Sequence, residues 1–101
     1  MIIHQREIGY GDTYPEFFAA LAKVKAYLEN KYPEISVGLM YNLAGERRRV
    51  TIQTRYASLA DYERIDSEMD NDKTYSKMLE PVMTDKVLPI VDQFYRVLES
   101  S

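Results

Sequence analysis

Two hydrophobic periods alternate along the chain, and their order predicts its elements. Met1 to Gly9 is isoleucine-rich and alternates, reading as a first strand that ends in the turn residues Gly9, Gly11 and Asp12. Thr13-Tyr14-Pro15-Glu16 fits a capping box, and from Pro15 to about Tyr32 the residues Phe17, Leu21, Val24, Leu28 and Tyr32 recur at helical spacing until Pro33 stops the run. Ile35, Val37, Leu39, Tyr41 and Leu43 then alternate with Ser36, Gly38, Met40 and Asn42, the period of two of a sheet with one dry face. Beyond Ala44 and Gly45, Arg48, Val50, Ile52, Thr54 and Tyr56 alternate with Arg47, Arg49, Thr51, Gln53 and Arg55, which predicts a third strand and a hairpin. For Leu39 and Tyr41 to share a face with Val50 and Ile52, the hairpin loop must hold an even number of residues, either Ala44-Gly45 or Ala44 to Arg47, because a slip of one flips every side chain.

Ser58 with Asp61 makes a second capping box, followed by a stripe of Leu59, Tyr62, Ile65 and Met69. Asp70 to Asp72 interrupts that helix, and Tyr75, Met78, Leu79 and Val82 continue as a short third one that Pro81 breaks. Pro89 forces an extended start, and Ile90 to Glu99, dense in β-branched and aromatic residues, reads as the last strand. The order β-α-β-β-α-(α)-β predicts an α+β fold: one ferredoxin-like domain over residues 1–101, with a four-stranded antiparallel sheet covered by helices on one face. On the last strand Val91, Tyr95 and Val97 compete with Ile90, Phe94 and Leu98 for the helix side, so both of its faces are expected to be buried. In so short a chain the simplest cover for the second face is another copy across a two-fold axis.

Composition narrows the chemistry. The 101 residues contain no cysteine, which removes disulfides, thiolate nucleophiles and cysteine metal sites together. No run approaches a membrane span and "MIIHQREIGY" lacks a signal-peptide core, so a cytoplasmic protein is expected. A sequence pI near 5.1 argues against nucleic acid as a partner. Residues 44 to 56 nevertheless carry four arginines and Glu46, a local +3 that leaves −6 on the rest of a chain whose total is −3. That asymmetry suits a rim that pairs with acids of a partner protomer, or the mouth of a pocket that admits an anionic substrate. Gln53 and Arg55, on the less apolar face of the third strand, are the candidate interface residues, with Arg49 beside them and Arg47 and Arg48 at the hairpin surface.

The helix-opening "RYASLADYE", the "DNDKTYSKMLEPV" segment and the closing "LPIVDQFYRVLE" resemble the dimeric α/β-barrel superfamily, in particular its NIPSNAP-like and antibiotic-biosynthesis-monooxygenase-like branches. The resemblance spans nearly the whole chain. It implies that two protomers pack sheet to sheet into a barrel, and that a pocket between each sheet and its helices holds a small hydrophobic or aromatic molecule. Members include cofactor-free monooxygenases, isomerases and haem-degrading enzymes; the last use a set of His, Asn and Trp, and this chain has no tryptophan. No cofactor is therefore expected. A small organic ligand and a second copy of the chain are the expected partners, with a non-catalytic ligand-binding or protein-interaction module of the same fold as the alternative to an enzyme.

His4, the only histidine, shares a strand face with Ile2 and Arg6 and is the candidate general base. Of nine tyrosines, Tyr41, Tyr56, Tyr62 and Tyr95 occupy faces that can line a pocket, where a phenol in an apolar wall orients a polar ligand atom. The acids Asp61, Glu63, Asp66, Glu68, Asp70 and Asp72 mimic a calcium loop but place Asn71 at the glycine position and Lys77 where a bidentate glutamate belongs, so a solvated helix face is the expectation and no metal site is assigned.

Overall fold

A computed structural model describes residues 1–10, 14–41, 49–81 and 90–98. Its elements run β1 (Ile2–Gly9), α1 (Tyr14–Lys31), β2 (Ser36–Tyr41), β3 (Arg49–Tyr56), α2 (Leu59–Asp70), α3 (Lys73–Leu79) and β4 (Val91–Arg96). The four strands form one antiparallel sheet in the order β2-β3-β1-β4, the ferredoxin-like arrangement that the periodicity predicts. Tyr41 lies opposite Val50 and Leu39 opposite Ile52, so an even number of residues separates Tyr41 from Val50, as the face pattern requires. The turn itself lies outside the described residues, as do the first cap at Thr13, Val82 of the third helical run and Glu99.

The helix-facing side of the sheet holds two apolar clusters. Ile2, Val24, Leu28, Tyr32, Ile35, Val37, Tyr56, Ile65 and Met69 form one, and Ile8, Phe17, Ala20, Leu21 and Val50 the other, with Leu39 and Ile52 packed against both. α1 lies over both because its apolar residues recur every three or four positions. Its polar flank also closes one sheet edge. Lys25 Nζ donates to the Val37 carbonyl at 2.5 Å, and the Val37 amide donates to Glu29 Oε2 at 3.0 Å, which occupies backbone groups that an edge strand would otherwise offer to another chain.

α2 begins as its sequence predicts, with the Ser58 hydroxyl accepting from the Asp61 amide at 3.2 Å. Ile65 and Met69 are buried and Tyr62 is half-buried, but Leu59 is 45% exposed. Helical geometry explains the departure: three-residue steps drift around the axis, leaving Leu59 roughly 120° from Ile65. α3 is capped by Asp72, whose carboxylate accepts from the Tyr75 amide at 3.0 Å, from Tyr27 Oη at 2.5 Å and from Lys31 Nζ at 2.8 Å. One acidic side chain therefore caps the start of α3 and ties it to α1. The hydrogen bonds from Lys31 and Tyr27 hold this carboxyl well below the usual range.

β4 differs from expectation. Every residue from Val91 to Arg96 is exposed in the single chain, so the burial of both faces that its composition predicts is not met within one protomer. The reason is position: β4 is an edge strand paired only with β1.

Candidate functional site

The helix-facing residues of β1 read Ile2, His4, Arg6, Ile8, apolar at both ends and polar between. On β3 Tyr56 and Val50 stand opposite Ile2 and Ile8, Thr54 opposite His4 and Ile52 opposite Arg6. Apolar side chains from the helices can close over the ends of this strip, which is where the two clusters lie. Over the middle they cannot close without burying unpaired polar groups, which is costly. The result is a partly enclosed cavity of 230 Å³ between sheet and helices, its polar floor made by His4, Arg6 and Thr54, and its walls by residues such as Val24, Leu28, Ile65 and Met69. Tyr56, Tyr75, Asp66 and Asp70 also line it.

β4 supplies the carboxylate that pairs with this floor. Asp92 pairs with Arg6 in register and accepts from Arg6 Nε at 2.7 Å and from a terminal guanidinium nitrogen at 3.1 Å, a two-point contact. His4 Nε2 lies 3.0 Å from the same carboxylate. Arg6 chiefly, with His4, holds the Asp92 carboxyl below its ordinary range. Facing an ionised carboxylate, Nε2 is the protonated nitrogen, which leaves Nδ1 of neutral His4 as the basic one. The ring is fixed on its flank by Phe94, stacked at 4.6 Å and 17°. Tyr62 packs edge-on against Phe94 at 5.1 Å and against Tyr56 at 5.3 Å. A carboxylate at one nitrogen and an aromatic ring against its face hold the imidazole in place.

Burial raises the phenols of the site. Tyr56 is pushed up to about 12 and Tyr75 and Tyr62 upward from their ordinary value, each chiefly by desolvation. All three are therefore neutral donors at physiological pH.

The four tyrosines selected from sequence separate. Tyr56 lines the cavity and Tyr62 packs beside it against Phe94 and Tyr56, whereas Tyr41 is 62% exposed at the end of β2 and Tyr95 lies on the opposite sheet face, bonded to Gln93 at 2.5 Å. Gln53 and Arg55 share that opposite face, as their parity predicts. Gln53 donates to Gln5 at 3.4 Å and Arg55 donates to Gln53 at 3.4 Å. Arg49 is buried there beside Glu7, with which it forms an ion pair. Arg6, Thr54, Asp92 and Tyr75 escaped the sequence reading. The available signal was two successive inward polar positions on β1 and an inward aspartate on β4.

A second depression of 630 Å³ lies on the outside between α1 and α3, over Ala19, Ala20, Met78 and Pro81. It is larger but open, and its polar groups Glu16, Lys23, Thr74 and Lys77 form no constellation like that around Asp92. The paired polar groups belong to the smaller cavity between sheet and helices. Among the described residues no group of three or more His, Asp or Glu side chains converges as metal ligands, and no helix is long and apolar enough to cross a membrane.

No family model and no curated protein matches the sequence. Solved structures do match the fold. An uncharacterised NIPSNAP domain protein from Burkholderia xenovorans is similar with a TM-score of 0.78 at 13% identity, over 96% of this chain and 94% of that one. A NIPSNAP family protein from Agrobacterium tumefaciens gives 0.70 at 15% identity over 99% and 89%. A candidate antibiotic biosynthesis monooxygenase from Deinococcus radiodurans gives 0.67 at 10% identity over 100% and 96%. The chain thus has the ferredoxin-like α+β fold of the NIPSNAP and antibiotic-biosynthesis-monooxygenase-like proteins, along its whole length.

Proposed function

We propose that the cavity binds a small, largely apolar or aromatic molecule and that His4 moves a proton on it. The observation that carries this reading is the 230 Å³ space whose apolar walls converge on a floor of His4, Arg6 and Thr54, with Asp92 paired to the first two. A space of this size suits a molecule smaller than a typical drug. Nδ1 of His4 would take a proton from an activated C–H or O–H of the ligand, while Asp92 stabilises the imidazolium that forms and the neutral phenols donate to oxygen on the ligand. Returned to another carbon, that proton completes an isomerisation; removed from an electron-rich aromatic, it leaves the carbanion that a cofactor-free monooxygenase would present to oxygen. The fold shared with a candidate monooxygenase is compatible with either. The alternative is a binding protein without a reaction.

Deuterium wash-in separates these readings. With 2-tetralone as probe in D2O, the protein should accelerate exchange at the acidic C–H by about 10²-fold or more, the usual worth of a positioned base, and His4→Gln should abolish the acceleration. Binding without acceleration would leave only the non-catalytic reading.

The assembly belongs to the same proposal. Met40, Val91 and Tyr95 on the outer sheet face are 44–45% exposed, beside Gln53 and Arg55. A second copy laid sheet to sheet would cover them and give β4 the burial that its sequence anticipates. Sedimentation velocity at micromolar concentration should show a dimer weakened by Tyr95→Glu; a monomer throughout would overturn this arrangement.

A further inference from the structure

The ligand's charge can be read from the cavity, an inference that rests on the binding reading just given. Among the described residues Arg6 is the only arginine or lysine in the cavity lining, and Asp92 neutralises it through both carboxylate oxygens, at 2.7 and 3.1 Å. Asp66 and Asp70 also line the cavity, one helical turn apart on α2. Neither has an ion-pair partner among the described residues. Three carboxylates, Asp66, Asp70 and Asp92, therefore stand in or against the lining beside two basic side chains, Arg6 and His4, and leave it negative whichever form His4 takes. Tyr56 and Tyr75 stand in the same lining, and aromatic rings attract cations. The field of Asp66 adds to the upward displacement of both phenols and of Tyr62, so it is felt across the site.

We infer that the cavity selects a small molecule with an aromatic or apolar body and a protonated amine. The body fills the space between the two apolar clusters, and the ammonium group lies toward Asp66 and Asp70, against the tyrosine rings. A carboxylate in the same place would face two acids and find the arginine already paired.

Three probes of nearly equal shape test this: 2-phenylethylammonium, 2-phenylethanol and phenylacetate, each titrated into the full chain at pH 7 and followed by calorimetry and by the methyl resonances of Thr54, Ile65 and Met69. The ammonium should bind about tenfold or more tightly than the alcohol and phenylacetate most weakly, on the order of one close charge contact in a partly screened site. In the double variant Asp66→Asn, Asp70→Asn the ammonium and alcohol should converge to within about threefold, the alcohol being unaffected. Both acids are exposed on α2, so the variant should keep the fold, as its circular dichroism would verify. Equal affinity for ammonium and alcohol, or tightest binding of phenylacetate, would overturn the inference while leaving the pocket in place. Binding of none of the three would overturn the pocket and the inference with it.

Discussion

Ile65→Ala against Leu59→Ala, one helix and two outcomes, tests where the core lies. Sequence spacing puts both residues on one apolar stripe of α2, but Ile65 is 1% and Leu59 45% exposed. Truncating Ile65 removes three carbons, about 2.4 kcal/mol at roughly 0.8 kcal/mol per buried methylene, before any cost of the space left behind. Such truncations in packed cores cost about 2–5 kcal/mol. Ile65 borders the existing cavity, whose polar floor admits water, so the added space need not stay empty and the loss should lie near 3 kcal/mol. In a domain of this size that lowers Tm by roughly 12–24 °C. Leu59→Ala should change stability by no more than about 0.5 kcal/mol, since it removes little buried surface and alanine favours a helix. Urea unfolding with unchanged m-values is the assay. Equal losses for the two variants, or less than about 1 kcal/mol for Ile65→Ala, would refute this account of how α2 closes the core.

Other expectations follow from the polar contacts. Asp72 holds its proton less readily in the folded protein than in the unfolded chain, so its ion pair stabilises above the unfolded value near 3.9 and the benefit disappears as pH falls through the lower folded value. Asp72→Asn keeps a capping oxygen but loses the charge; Tm should drop at pH 7, and its gap to wild type should close in strong acid. Tyr56, raised to about 12, has the opposite sign: the folded state favours the neutral phenol, that stability is complete below the unfolded value near 10, and it is lost as pH rises through about 12. Ultraviolet titration should therefore show a late tyrosine ionisation that Tyr56→Phe removes; its persistence in the variant would show that another phenol is responsible. Nitrogen-15 NMR of neutral His4 should place the proton on Nε2, and Asp92→Asn should weaken that preference. A proton on Nδ1 in the wild type would remove the assignment of the base.

The fold was legible because it is written in periods. Alternation in Val37 to Tyr41 and Val50 to Tyr56 determined faces and hairpin parity, and Ser58 announced α2. Where regular spacing drifts, as from Leu59 to Ile65, burial was misread, because a helix turns 100° per residue and a stripe of threes does not stay on one side. The site was half legible. His4 and Tyr56 lie at the cavity because inward positions of β1 and β3 meet there, but Tyr41 shares that face only at the strand's exposed end and Tyr95 has the opposite parity. The parity of β4 marks Asp92 as inward, but its partner Arg6 could not be read locally, since the two meet only through pairing of residues 86 apart. The acidic run concealed three roles under one composition: Asp61 and Glu68 pair with Arg64, Asp72 caps α3, and Asp66 and Asp70 line the cavity.

The central claim is that the space above His4, Arg6 and Thr54 receives a small molecule. Methyl NMR during titration with 2-phenylethanol tests it most directly. The account predicts saturable shifts at Thr54, Ile65 and Met69, absent in the cavity-filling variant Val24→Phe, with Ala19 and Met78 of the outer groove unmoved. Shifts confined to Ala19 and Met78, or binding undiminished by Val24→Phe, would contradict it.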